Sequence, residues 1–160
     1  MPGATFRLAR PRDAWAIALM SRELIEGGLS GWSWPPPRVA RSIQARDTVV
    51  LVTSITDLLV GFAIMNFGDV QAHLSLLAVR PSHRRRGIGR RMMAWLEESA
   101  LVAGIATVNL ELRVNNSAAR DFYRALGFKD AAYIPGYYQG VETALRMTRD
   151  LRRPVSGRIN

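Results

Sequence analysis

Apolar residues recur along this chain with two different periods, and the change from one period to the other predicts its elements. Phe6-Arg7-Leu8-Ala9 predicts a short first strand. Pro11-Arg12-Asp13-Ala14, with Trp15, Ile17, Ala18 and Leu19 behind it, predicts a helix start. The breaker-rich stretch Gly27 to Pro37 predicts a loop, and Arg38 to Ala45 a second short helix. Two β-branched, apolar runs, Thr48–Thr53 and Leu58–Met65, predict a hairpin through Ser54-Ile55-Thr56-Asp57. His73–Val79 predicts a fourth strand that Pro81 helps to stop, since proline donates nothing to a ladder. From Gly87 to Ala103 the period changes to that of a helix, with Ile88, Met92, Trp95, Leu96 and Val102 on its apolar side. Thr107–Val114 alternates again, with Leu110, Leu112 and Val114 on one face and Asn109, Glu111 and Arg113 on the other. Ser117–Leu126 predicts a helix that Gly127 can terminate, and two final strands flank Gly136-Tyr137-Tyr138-Gln139-Gly140.

The chain has 160 residues, which suits one domain, taken as residues 1–151 with a basic, flexible tail at 152–160. With 48% hydrophobic and 22% charged residues it can bury enough apolar surface to fold alone. No run reaches the roughly 18–20 apolar residues of a membrane span, and the first residues lack a secretory hydrophobic region, so the expected location is the cytoplasm. The absence of cysteine excludes disulfides and a thiolate nucleophile, and two scattered histidines argue against a metal centre. His73 and His83 are read as structural. Formal net charge is +9, carried almost wholly by arginine, with Lys129 the single lysine. Such a surplus points to an anionic partner without naming it.

The position of the arginines narrows the choice. Arg84-Arg85-Arg86-Gly87-Ile88-Gly89-Arg90-Arg91 lies between a predicted strand and the next predicted helix. Glycines there let the backbone curl its N–H groups into one concavity, a helix start adds free donors, and guanidinium groups add charge-assisted bonds. Met92 stands where the dinucleotide fingerprint needs its third glycine, and the Gly-Lys-Ser/Thr of a nucleotide-triphosphate loop is missing.

Leu77-Ala78-Val79-Arg80-Pro81-Ser82-His83-Arg84-Arg85-Arg86-Gly87-Ile88-Gly89 resembles the acetyl-CoA motif of the GNAT superfamily of N-acetyltransferases, Arg/Gln-x-x-Gly-x-Gly/Ala, through Arg84, Gly87 and Gly89. Asn116-Ser117-Ala118-Ala119-Arg120-Asp121-Phe122-Tyr123, with Leu126-Gly127-Phe128 after it, is similar to a second signature of that family at the expected distance. The likeness covers residues 73–128, more weakly 58–151, and is greatest to ribosomal-protein N-terminal (alanine) acetyltransferases. In that group a glutamate precedes the motif asparagine by five positions, as Glu111 precedes Asn116, and a Tyr-Tyr pair precedes the last strand, as Tyr137-Tyr138 do.

The resemblance implies an α/β (α+β) GNAT fold: a mixed, mostly antiparallel sheet of six to seven strands with about four helices. Its fourth and fifth strands would splay to admit the pantetheine arm of acetyl-CoA. Backbone groups of Leu77, Ala78 and Val79 would pair with that arm, and Asn116 would contact it. Arg84, with the amides of Arg85, Arg86, Gly87, Ile88, Gly89 and Arg90, would hold the pyrophosphate. Tyr123 would face the sulfur and protonate the leaving thiolate, a phenol of pKa about 10 giving a proton to a thiol near 8.5; a core tyrosine is the plainer reading. Glu111 is the candidate base, if partial burial raises its carboxylate, against a solvated glutamate paired with Arg113 or a neighbouring arginine. Trp32, Trp34, Tyr137 and Tyr138 are candidates for the acceptor side.

The acceptor expected is an amine, and a protein or peptide N-terminus suits it best. An α-amine near pKa 8 is partly neutral at pH 7, whereas a lysine amine near 10.4 is almost wholly charged. The alternatives are a small amine (polyamine, amino sugar or amino acid) or a non-catalytic RNA- or ribosome-binding module. Neither membrane nor nucleic acid is an expected partner, and the protein is taken as a monomer or homodimer.

Overall fold

The computed structural model describes residues 3–155. Its elements keep the predicted order: β1 (Thr5–Leu8), α1 (Ala14–Leu24), α2 (Pro36–Gln44), β2 (Thr48–Ile55), β3 (Leu58–Phe67), β4 (Ala72–Val79), α3 (Ile88–Val102), β5 (Thr107–Arg113), α4 (Ser117–Ala125), β6 (Lys129–Tyr138) and β7 (Glu142–Asp150). The seven strands form one sheet in the order β1-β2-β3-β4-β5-β7-β6, antiparallel throughout except between β4 and β5. No helix among the described residues is long and apolar enough to cross a membrane.

Each face of the sheet carries its own core. On one side Leu51, Val60, Met65, Leu74, Leu110, Leu112 and Leu145 pack with Met92, Met93 and Leu96 of α3 and Tyr123 of α4. On the other, Val50, Val52, Phe62, Ile64, Leu76 and Ala78 pack with Ile17, Ala18 and Met20 of α1 and Val39 of α2. The alternation of β5 is as predicted, with Val108, Leu110 and Leu112 buried and the polar residues opposite.

β4 departs from regular alternation. Its register against β3 shifts between Ile64, opposite Leu76, and Met65, opposite Leu74, which leaves Ser75 as an extra residue. Such a bulge bends the strand and re-aims the side chains beyond it. Ala72 and Leu74 therefore face α3, whereas Leu76 and Ala78, at the same parity, face α1 and α2. Parallel pairing with β5 runs only from Ala72↔Val108 to Leu74↔Leu110, so the strands part at the bulge, as the splayed pair required.

Two local contacts fix the ends of the domain. Arg7 donates to both Asp13 oxygens, at 2.8 and 3.0 Å, which ties β1 to the start of the first helix. In the tail Arg149 Nη1 donates to the Arg153 carbonyl at 3.1 Å, and Arg152 and Arg153 pair with Asp150. These contacts involve Arg152 and Arg153 alone of the predicted tail, and residues 156–160 lie outside the described residues.

The helices α3 and α4 meet at Gly89, where a Cβ would lie 3.1 Å from the Phe122 ring. Gly89→Leu should therefore destabilise the fold by about 1–3 kcal/mol through overpacking. In urea unfolding, combining it with Phe122→Ala should recover part of that loss, and strict additivity would contradict the contact.

Candidate active site

The loop between β4 and α3 builds the phosphate end of the site from main chain. After Pro81–His83, a single 3-10 turn, Arg84 is extended, Arg85 takes φ +64°, and Gly87 takes φ +78°. Left-handed residues among right-handed ones turn consecutive N–H groups toward one side, the geometry of an anion nest. No side chain caps α3, and its first internal bond runs from the Arg91 N–H to the Gly87 carbonyl, which leaves the amides of Ile88, Gly89 and Arg90 free. Arg85, Arg86, Arg90 and Arg91 are exposed around this helix start. Arg84 Nε donates to the Val79 carbonyl at 3.0 Å, so part of this guanidinium closes the loop. Gly87 supplies the left-handed turn; Gly89 is helical, and its missing side chain makes room for Phe122 rather than for phosphate.

Beyond Leu74 and Leu110 the facing edges of Leu77, Ala78 and Val79 on β4 and of Glu111–Arg113 on β5 have no partner strand in common. α4 overlooks this opening. Asn116 begins it as N-cap, its Oδ1 accepting from the Ala119 N–H at 3.1 Å. Tyr123 sits on its inner face at 8% exposure, edge-on to Phe122 and Phe128 at 5.1 and 5.5 Å between ring centres. Burial, and then the neighbouring Tyr138, push the Tyr123 phenol well above its ordinary range. It is protonated at all physiological pH, and a proton costs it more to release than a solvated tyrosine.

On the opposite face of β5 stands Glu111, its side chain 6% exposed. It accepts from three residues: His73 Nε2 at 2.6 Å, Arg146 Nε at 2.9 Å and the Tyr137 hydroxyl at 3.0 Å. Burial alone would raise this carboxylate, as the sequence suggested, but the donors His73, Arg146 and Tyr137 outweigh it and hold Glu111 at about 2. The expected upward shift is thus corrected to a downward one. The arginine paired with it is Arg146, on the neighbouring strand, whereas Arg113 donates to the Gly27 carbonyl at 2.6 Å and pairs with Glu142.

Tyr137 and Tyr138 pack edge-to-face at 5.0 Å at the end of β6, beside the β6–β7 turn. Burial, then Tyr137 and Glu111, push the Tyr138 phenol far up as well. Gln139 in the same turn exchanges hydrogen bonds with Ser30, which fastens the α1–α2 loop to this corner. Buried Glu26 organises that loop from within by accepting from Ser21 and from the Ser33 N–H. Of the two candidate tryptophans, Trp34 lines a groove with His73 and Ser75. Trp32 does not reach it: its indole donates to the Ala18 carbonyl at 3.3 Å and packs against Trp15 and Arg22 on α1.

A family model described as Acetyltransferase (GNAT) family matches residues 17–128, well over half of the chain. The chain belongs to the GNAT acetyltransferase family. GNAT enzymes take acetyl-CoA as cosubstrate, so this one is an acetyl-CoA-dependent N-acetyltransferase. Among its relatives is the ribosomal protein bS18-alanine N-acetyltransferase of Salmonella typhimurium, 37% identical over 107 residues, which are 65% of this chain and 72% of that one. Another is the N-terminal acetyltransferase B complex catalytic subunit naa20 of Schizosaccharomyces pombe, 33% identical over 88 residues, 55% of this chain and about half (49%) of that one. In fold it is similar to the crystal structure of ribosomal-protein-S18-alanine N-acetyltransferase from Escherichia coli, with a TM-score of 0.79 at 24% identity, covering 99% of this chain and 100% of that one. Ard1 from Thermoplasma volcanium gives 0.81 at 23%, covering 92% and 97%.

The nest, the uncapped helix start and the unpaired strand edges suit a GNAT cosubstrate that brings phosphates at one end and an amide-bearing arm at the other. Two residues of this GNAT site escaped the sequence reading, His73 and Arg146. The strands that carry them were predicted, but not the registers that bring residues 73, 111 and 146 together.

Two measurements probe these features. Gly87→Ala should cost about 1–2 kcal/mol in urea unfolding, because its Cβ meets nothing within 4 Å and only the left-handed backbone resists it. Glu111 is depressed on folding, so its stabilisation is complete above pH 4.5 and is lost as pH falls toward about 2. Between pH 5 and 3 the wild type should therefore lose more stability than Glu111→Gln; equal losses would contradict the ionised, triply bonded carboxylate.

Proposed function

We propose that this enzyme acetylates the α-amine of a protein or peptide N-terminus by direct attack in a ternary complex, and that it does so in the cytoplasm. The observation that carries this reading is that Glu111 and Tyr123 lie on opposite faces of β5, the strand that borders the opening, one buried and ionised, the other buried and protonated. A fixed anion on the acceptor side attracts an ammonium group, and a phenol on the other side donates to a thiolate as it forms. Acetyl-CoA, when bound, supplies the acetyl group as an activated thioester. The names of the Salmonella and fission-yeast relatives, both acetyltransferases of protein or N-terminal amines, support the same acceptor class.

In this reading the helix start at Ile88 with Arg85, Arg86 and Arg90 holds the pyrophosphate, while Leu77, Ala78, Val79 and Asn116 line the path of the arm. Trp34, Tyr137 and Tyr138 border the acceptor. Glu111 at about 2 is too weak a base to deprotonate an ammonium. Its work is to stay charged and to orient what touches it.

The test is an acceptor panel of peptides with varied first residues, lysine side chains in N-terminally blocked peptides, polyamines, amino sugars and free amino acids, scored by thiol release from acetyl-CoA. Turnover on unblocked peptides is the expected result; turnover confined to the small amines would overturn the acceptor assignment. Tyr123→Phe should lower kcat by about 100-fold or more with little change in acetyl-CoA affinity by calorimetry, the split expected when a proton donor is removed but its ring is kept.

A further inference from the structure

We propose that His73 is the catalytic base of this enzyme, held by Glu111 and kept ready to take up a proton by a row of hydrogen bonds that all point away from it. The inference deepens the acetyltransferase reading and rests on it.

Sheet register places the groups. Thr48 on β2, Asn66 on β3 and His73 on β4 are successive cross-strand partners, so their side chains share one face. The bulge residue Ser75 joins them. Thr48 donates to the Asp47 carboxylate at 3.2 Å. Asn66 Nδ2 donates to Thr48 Oγ1 at 3.2 Å, which turns Asn66 Oδ1 toward Ser75, and Ser75 donates to that oxygen at 2.9 Å. Each donor is thereby committed in one direction, toward Asp47.

The consequence falls on the imidazole. A hydroxyl has one hydrogen, and that of Ser75 goes to Asn66. Ser75 Oγ therefore offers only lone pairs to His73 Nδ1, 3.3 Å away. On the other side of the ring, Nε2 lies 2.6 Å from the Glu111 carboxylate, which takes its N–H. Neutral His73 is thus held as the Nε2–H tautomer, with its Nδ1 lone pair facing a second acceptor. Once a proton reaches Nδ1 both ring N–H groups have partners, Glu111 on one side and Ser75 on the other. Imidazole is the side chain suited to such exchange at neutral pH.

The ring is also reachable. Its side chain is 42% exposed, against 6% for Glu111, and it opens on the groove shared with Trp34, Arg38 and Arg41 of the α2 side. The charged groups around it are Glu111, with Arg146 behind it, and Asp47, Arg38 and Arg41 along the groove.

The proton count closes. The α-ammonium gives one proton to His73 Nδ1, directly or through one water, and its nitrogen bonds to the thioester carbonyl carbon. The C–S bond breaks, and the thiolate takes the Tyr123 hydroxyl proton. The nitrogen, still carrying one proton more than an amide holds, passes it through solvent to the Tyr123 phenolate, and His73 releases its own to solvent, so the products are the acetylated amine, free thiol and one proton.

The experiment uses the full-length enzyme, acetyl-CoA and the best peptide acceptor of the panel. His73→Ala should lower kcat by about 100-fold or more, leave the acetyl-CoA dissociation constant within about twofold, and regain activity saturably with added imidazole. His73→Gln keeps an N–H for Glu111 but holds no base, so it should be folded by circular dichroism and as inactive as the alanine variant. An active His73→Gln enzyme would make residue 73 a support for Glu111 and overturn the proposal, as would a His73→Ala enzyme that imidazole does not rescue. Wild-type enzyme that leaves every unblocked peptide unmodified would instead refute the acceptor reading, a distinct result.

Discussion

Backbone pairing between β4 and β5 extends over three residue pairs and stops at Leu74 and Leu110. The rest of the site depends on that stop. A sheet that continued to pair would bury the edges of Leu77, Ala78 and Val79 in a ladder and close the space into which Tyr123 and Glu111 look. The cause is one extra residue, Ser75, which bends β4 and changes the face its side chains present, so that its even-numbered residues serve the α3 core below the bulge and the α1–α2 core above it. The unsatisfied edge is offset by packing on both faces of the sheet, where Leu51, Phe62, Met92 and Leu145 are fully buried.

Charge is distributed to match this opening. Cations stand exposed at the mouth of the phosphate nest, where solvent access keeps their desolvation cost low. On the acceptor side the charges are partly buried and compensated: Glu111 by His73, Arg146 and Tyr137, and Arg113 by Glu142 and the Gly27 carbonyl. A net charge of +9 thus says little by itself; what matters is that Arg85, Arg86, Arg90 and Arg91 share one helix start.

The local parts of the site were legible in the sequence, and the non-local parts were not. The strand–loop–helix from His73 to Ala103 announces itself through period change and glycine spacing, and the left-handed turns and free amides that form the nest lie within it. The two faces of β5 could likewise be read from alternation, which put Glu111 on the polar side. The direction of its pKa shift could not be read, because burial and hydrogen bonding oppose each other and the donors come from positions 73, 137 and 146. Trp32 and Trp34 looked equivalent two residues apart, yet one turns to α1 and the other to the groove, since the loop that carries them is folded around buried Glu26. Gly89 was read as a glycine that lets the backbone curl, and its lack of a side chain also admits the Phe122 ring of α4, a contact no local pattern announces.

The row from Asp47 to Ser75 ties chemistry to the β2–β3 hairpin, a segment that carries no motif. Because side chains alternate, a slip of one residue in that hairpin would send Asn66 to the opposite face and leave Thr48 and Ser75 without their link. Turn length at Thr56-Asp57, both left-handed, and the register shift between Thr53 and Ser54 together set the pairing and with it the orientation of a hydroxyl two strands away. An insertion there, at a distance from every recognisable signature, would thus be felt as a kinetic lesion in a protein whose fold remained whole.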